Sequence, residues 1–126
     1  MSDTVTLTFA ARTHNAALAR TVAAAMSARA DLPIDQLEDV RLAVDEAVSQ
    51  SILDAPDGSE VVCRFTRDGT SLDITVSAPS TSGQTPSTST FSWMVLSALV
   101  DEVAASITDG TVTIGMKVVR HVGVDA

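Results

Sequence analysis

The stretch Asp35–Asp54 admits one regular structure. It reads Asp-Gln-Leu-Glu-Asp-Val-Arg-Leu-Ala-Val-Asp-Glu-Ala-Val-Ser-Gln-Ser-Ile-Leu-Asp, with no proline or glycine. Apolar side chains recur at Leu37, Val40, Val44, Ala47, Val48 and Ile52, the spacing of one helix face. The spacing predicts a helix over 35–54 around which the rest of the chain is organised. Asp35 and Glu38 stand three apart at its start, and predict a capping box in which each side chain satisfies an orphan amide. Glu46 and Gln50 fall four apart on one face, one turn above the other. Their neighbours there are Leu42, Ala43, Ser49 and Leu53, so a carboxylate and an amide lie beside apolar surface. Two readings of Glu46 follow. It is a solvated residue at the edge of the stripe, which periodicity alone favours, or a carboxylate held for chemistry.

What surrounds that helix must be an aliphatic core. The aromatics are confined to Phe9, Phe65, Phe91 and Trp93, while hydrophobic residues make up 45% of 126 residues. That length predicts a single domain, residues 1–126, able to bury a core. Residues 4–10 alternate hydroxyl and apolar side chains and predict a strand with one buried face. A helix over 15–30 carries Leu18, Val22, Ala25 and Met26 on one stripe, and Pro33 ends it. Strands over 60–67 and 71–77 flank Asp68-Gly69, a hairpin signal. Residues 78–90 hold serine, threonine, glycine and proline with no large apolar side chain and no charge. They predict a flexible, lid-like loop. A third helix over 91–103 is apolar nearly all round and should be largely buried. A second hairpin over 104–120 turns at Asp109-Gly110, and the tail 121–126 is expected to fray. The order β-α-α-β-β-α-β-β predicts an α+β fold, a two-layer sandwich with a mostly antiparallel sheet and three helices on one face.

Several functions are disfavoured. The net charge is −8 and the eight basic residues form no cluster, which argues against direct nucleic-acid binding and against a membrane surface. No apolar run reaches the roughly 18 residues of a spanning helix, and no signal-peptide pattern opens the chain. A cytoplasmic protein is expected. Cys63 is the single cysteine and sits in an apolar strand pattern, where a small buried hydrophobe is expected rather than a nucleophile. His14 and His121 have no partner at metal-ligand spacing. No glycine-rich phosphate loop follows a strand, and no serine lies in a nucleophile motif.

Three segments in order carry a family likeness: Glu38-Asp-Val-Arg-Leu-Ala-Val-Asp-Glu-Ala-Val-Ser-Gln50, Val100-Asp-Glu-Val103, and Gly110-Thr-Val-Thr-Ile-Gly-Met-Lys117. Over almost its whole length the chain resembles the anti-sigma factors of the RsbW and SpoIIAB type. These are serine-protein kinases of the GHKL (Bergerat) ATPase fold. The pattern resembles divergent actinobacterial members with a like Phe-Ser-Trp segment before an apolar helix. In the family, the first segment carries Glu-Ala-Cys/Val-Thr-Asn, and the last is the closing Gly-Thr-x-Val-x-Met-x-Lys strand. The resemblance implies Glu46 as general base towards a substrate serine, and Gln50 at the position of the Mg²⁺-holding asparagine. One added methylene displaces the amide oxygen there by more than about 1 Å, against the strict octahedral demand of Mg²⁺. It further implies nucleotide contacts at Ala78, Ser80 and Ser82, where the family has Asp-x-Gly-x-Gly, and at Gly110 and Thr111. The adenine-reading carboxylate is absent there and two glycines are serines. The phosphate nest before the third helix is replaced by Ser87-Thr-Ser-Thr-Phe-Ser-Trp93.

These substitutions predict that Mg-ATP binding is weak or lost and that Glu46 is vestigial. Two functions lead, ahead of a third in which the domain regulates a different partner with no sigma factor involved. One is a homodimeric anti-sigma factor that sequesters an alternative, stress-response sigma factor and is countered by a STAS-type anti-anti-sigma protein. The other is an active Mg-ATP-dependent kinase phosphorylating that antagonist on serine. The resemblance implies Arg20, on the first helix, as a contact for both partners.

Overall fold

Alternation decides the sheet. The structure, a computed structural model, describes residues 2–121. Five strands, β1 (Ser2–Ala10), β2 (Glu60–Asp68), β3 (Ser71–Pro79), β4 (Glu102–Thr108) and β5 (Thr111–Val119), form one sheet in the order β1-β2-β3-β5-β4. Every neighbouring pair is antiparallel. The register pairs Leu7 with Cys63, Cys63 with Val76 and Val76 with Ile114. Because side chains alternate faces, this register gathers the apolar residues of all five strands on one side. Phe65, Leu72, Ile74 and Val76 at its centre are essentially inaccessible. Thr6, Arg64, Thr75 and Lys117 belong to the opposite, polar face. The β4–β5 turn has positive φ at both Asp109 and Gly110, 51° and 78°, the backbone of the tightest hairpin connection.

Three helices cover the apolar side: α1 (Ala16–Arg29), α2 (Ile34–Asp54) and α3 (Phe91–Leu99), with a short 3-10 turn at Thr13–Asn15 ahead of α1. Helix α2 runs between the other two. Its residues Val40, Ala43, Val44, Ala47 and Val48 are fully buried, one stripe at helical spacing. Small residues on α1, Ala19 and Ala23, are also fully buried and let the two helices approach closely. No helix among the described residues is long and apolar enough to cross a membrane. Cys63 is buried and free, and burial pushes its thiol pKa up to about 12.

The α+β sandwich expected from the sequence is the fold observed, with differences at several ends. The capping box does not form. Helix α2 starts at Ile34 behind Pro33, with no side-chain cap hydrogen bond. Asp31 turns the chain at φ 59° and Leu32 is buried, so the first helical turn begins one residue early. Asp35 then lies inside that turn, where its charge favours the helix dipole. Glu38 pairs with Arg41 at 3.0 Å instead.

Helix α3 stops at Leu99, not Val103, because Val100 is already extended and buried and Asp101 N donates to Lys117 O at 3.0 Å. Sheet pairing thus overrides the local helical pattern. Nor is α3 buried all round. Trp93 and Leu96 are its buried residues, while Phe91 and Met94 are 79% and 60% exposed. Strand β3 extends to Pro79, so the polar loop begins at Ser80. His121 is held, its amide donating to Gln36 Oε1 at 2.7 Å and its ring 2.6 Å from Asp101. The remaining tail residues, 122–126, lie outside the described residues.

Candidate functional site

Glu46, Gln50 and Asp54 form one row, each four residues after the last, along α2. Each is met by a hydroxyl from another element. Thr90 caps α3: its backbone is extended and its Oγ1 accepts from Trp93 N at 3.1 Å, a standard helix start. That start drives Trp93 into the core and turns Ser92 towards α2. Ser92 Oγ donates to the Glu46 carboxylate and accepts from Gln50 Nε2. All three side chains are half-buried. The Ser92 proton thus points at a carboxylate, the geometry a base and a seryl hydroxyl adopt. Both the acid and the amide are engaged by a residue of the same chain.

One turn on, Asp54 fastens the loop that follows β3. Its carboxylate accepts from Ser80 Oγ, from Ser82 N at 3.0 Å and from Ser82 Oγ at 3.1 Å. Its backbone carbonyl accepts from Thr81 N at 2.7 Å. The Ser80 hydroxyl, opposed by desolvation and helped by the Ser82 amide, holds the Asp54 pKa below its ordinary 3.8. From the other side Ser80 N donates to Gly110 O at 2.8 Å. Between α2, this loop and the sheet lies a cavity of about 250 Å³ lined among others by Gln50, Asp54, Ala78, Ser82, Pro86 and Ile114. Ala78 is buried in register with Val112 and offers the cavity a methyl group.

The sequence-predicted residues separate accordingly. Gln50, Ala78 and Ser82 line the cavity. Ser80 braces Asp54. Gly110 takes part through its carbonyl, and Thr111 pairs with Pro79 and Thr108 in the sheet. Glu46 faces Ser92. Arg20 lies on the other flank of α2, its Nη1 2.6 Å from Asp45 Oδ1 with both side chains 38–39% exposed. Among the described residues no group of three or more His, Cys, Asp or Glu is placed to hold a metal. Ser92 and Asp54 were not singled out from the sequence. The signal for Asp54 was the continued four-residue row. For Ser92 it was a small hydroxyl near the start of a helix that is apolar apart from it and Ser97.

The chain matches known proteins over most of its length. Residues 9–118 match the family model of the histidine kinase-like ATPase domain. The anti-sigma-F factor RsbW of Mycobacterium tuberculosis, in two strains, is 38% identical over 102 residues. That alignment covers 79% of this chain, and the chain spans 59% of the length of these relatives. The crystal structure of the RsbU and RsbW domains of a Mycobacterium tuberculosis protein superposes with a TM-score of 0.72 at 16% identity, over 96% of this chain and 35% of that one, a likeness of fold. With the match running from the end of strand β1 almost to the end of β5, the chain belongs to the histidine kinase-like ATPase domain family, and within it is similar to RsbW.

Proposed function

We propose that this chain is an anti-sigma factor that holds an alternative sigma factor by surface contact, without phosphoryl transfer, and yields it to a competing STAS-type anti-anti-sigma protein. The observation that carries this reading is Ser92 seated between Glu46 and Gln50. A base is useful when its carboxylate faces the incoming hydroxyl, and a metal amide when its oxygen faces the ion. Here the carboxylate faces an internal hydroxyl and the amide nitrogen is turned to the same atom. The similarity to RsbW supports the regulatory class.

The residues present suit Mg-ATP poorly. Ala78 gives the cavity no carboxylate to read an adenine amino group. The Asp54 oxygens already accept from Ser80 and Ser82. The side chains of Ser80 and Ser82 stand where glycines would let phosphate approach the backbone. No step of the proposed function therefore runs through nucleotide.

Co-purification tests the reading. Alternative sigma factors of the host are mixed with the chain in the absence of nucleotide. One of them should form a stable complex, from which a STAS protein releases it. Failure to bind any sigma factor or STAS protein of the host overturns the reading. A second function, serine-protein kinase, is favoured by one feature, the cavity of about 250 Å³ between α2 and the loop. Calorimetry with Mg-ATP at about millimolar concentration decides it, because nucleotide at that level saturates any site of useful affinity. No heat of binding removes the kinase.

A further inference from the structure

Strand β1 is one border of the sheet, and its backbone is open along its middle. Ala11 N donates to Ser59 O at 2.9 Å. Since alternate residues of a strand bond to the same neighbour, Phe9, Leu7 and Val5 are likewise turned to β2. Thr8, Thr6 and Thr4 then present their N–H and C=O groups outwards, where no strand among the described residues meets them. Folded proteins blunt such a border with lysine, proline or a bulge. β1 has none of these. Its nine residues pair with β2 without a skipped position, and Thr4–Ala10 carries no charge. Helix α1 runs back along this border, with Asn15 Nδ2 donating to Ala10 O at 2.9 Å and Arg29 lying 3.9 Å from Asp3. Leu18, Val22, Ala25 and Arg29 follow one another at helical spacing, so this apolar stripe faces the β1 side. It is not buried: Leu18 is 50% exposed, and Val5 and Leu7 beside it are half-buried.

We propose that β1 pairs antiparallel with β1 of a second copy of this chain, about a two-fold axis at Thr6, so that the two sheets become one. The motivating feature is self-complementarity. Thr4-Val5-Thr6-Leu7-Thr8 has the same polarity read from either end. An axis at Thr6 sets Thr4 opposite Thr8 and Val5 opposite Leu7, threonines on the open face and aliphatics beneath the helices. A two-fold contact requires such a match, whereas a strand of another protein does not. Charge points the same way. The chain has net charge −8, yet Thr4–Ala30 contains none of its sixteen acidic residues. At the opposite border, antiparallel pairing of β4 with its copy would set Asp101 against Asp109, and like charges directly opposite are destabilising. Backbone pairing alone makes a small interface. The exposed part of the α1 stripe adds apolar area to it. Arg20, held by Asp45 on the α2 side of α1, stays outside the contact, so the inference is independent of sigma-factor binding.

Sedimentation of the whole chain from about micromolar to about millimolar concentration should show a monomer–dimer equilibrium. Thr6→Lys places two ammonium groups across the axis, on the open face, where β1–β2 pairing is untouched. Thr6→Pro removes the outward N–H, a position at which edge strands accept proline. Each should weaken self-association by about tenfold or more with unchanged circular dichroism. Thr6→Lys mixed with Thr6→Glu should recover a dimer, a result that damage to the fold cannot imitate. In the parent chain, the amides of Thr4, Thr6 and Thr8 should gain protection from hydrogen exchange as concentration rises; this reading needs no variant and serves if the substitutions unfold the chain. A monomer throughout the range overturns the proposal. So does a dimer that both variants leave intact, which would lie on another surface, or a Lys and Glu mixture that associates no better than either variant alone.

Discussion

Ser92 is the residue on which the site turns. It gives one hydrogen to a carboxylate and takes one from an amide, so its loss leaves two half-buried polar groups short of a partner. Ser92→Ala should cost about 1–2 kcal/mol, the usual range for unsatisfying such groups, read as a lowered urea midpoint. Glu46→Gln should cost less, because the carboxamide oxygen still accepts from Ser92. A larger loss in Glu46→Gln than in Ser92→Ala contradicts this assignment of donor and acceptor. Cys63 supports a second expectation. With its thiol raised to about 12 by burial, it should resist alkylation in the folded chain at about pH 8 and react only on unfolding, since the thiolate is the nucleophile. Rapid labelling under native conditions would contradict the packing of β2. At this scale the sequence was legible in part. The pairing of Glu46 with Gln50 was visible from spacing. The hydroxyl between them was not, because it arrives from α3, some forty residues away, and no local pattern encodes that contact.

Among elements, α2 and the two hairpins were readable because periodicity, turn residues and length agree there. The ends of α3 were not. The apolar run from Phe91 continues past Leu99, but Val100 is extended and Asp101 N already donates to Lys117 O beside the sheet, a long-range preference that propensity does not contain. Its exposed side was missed for a related reason: an apolar helix can face a partner as well as a core. The true cap of α3 is Thr90, and Thr90→Ala should destabilise the chain by about 1 kcal/mol, with a loss of order concentrated near Ser92 and visible by amide hydrogen exchange. The loop after β3 hangs on Asp54. Since the folded pKa of Asp54 lies below its ordinary 3.8, its contribution is full above that value and is lost as pH falls through the folded one. Asp54→Ala should therefore lower stability by about 1 kcal/mol or less at neutral pH, allowing for solvent screening. The difference from the parent chain should shrink below about pH 4. A difference that stays constant with pH, measured by urea unfolding, would assign the effect to packing rather than to the charge.

For the whole molecule, one apolar sheet face and one buried stripe of α2 suffice to fix the architecture. Both were legible, because alternation and helical spacing are local patterns with a global consequence: each apolar face must meet the other. The order of strands was not legible. Nothing short-range says that β1 returns to β2 across two helices, or that β5 rather than β4 joins β3. The same division separates side chains that maintain the fold from those left on the surface. Phe65 sits at the centre of the sheet with no accessible surface, so Phe65→Ala should remove about 3–5 kcal/mol, a large share of the roughly 5–15 kcal/mol that holds a domain of this size. Leu53, at the end of α2, is 84% exposed; Leu53→Ala should change stability by less than about 0.5 kcal/mol. The exposed side of α3 obeys the same logic. Phe91 and Met94 are 79% and 60% exposed, so Phe91→Ser with Met94→Ser should approach the Leu53 result in urea unfolding of the chain. A loss approaching that of Phe65→Ala would make those side chains part of the core.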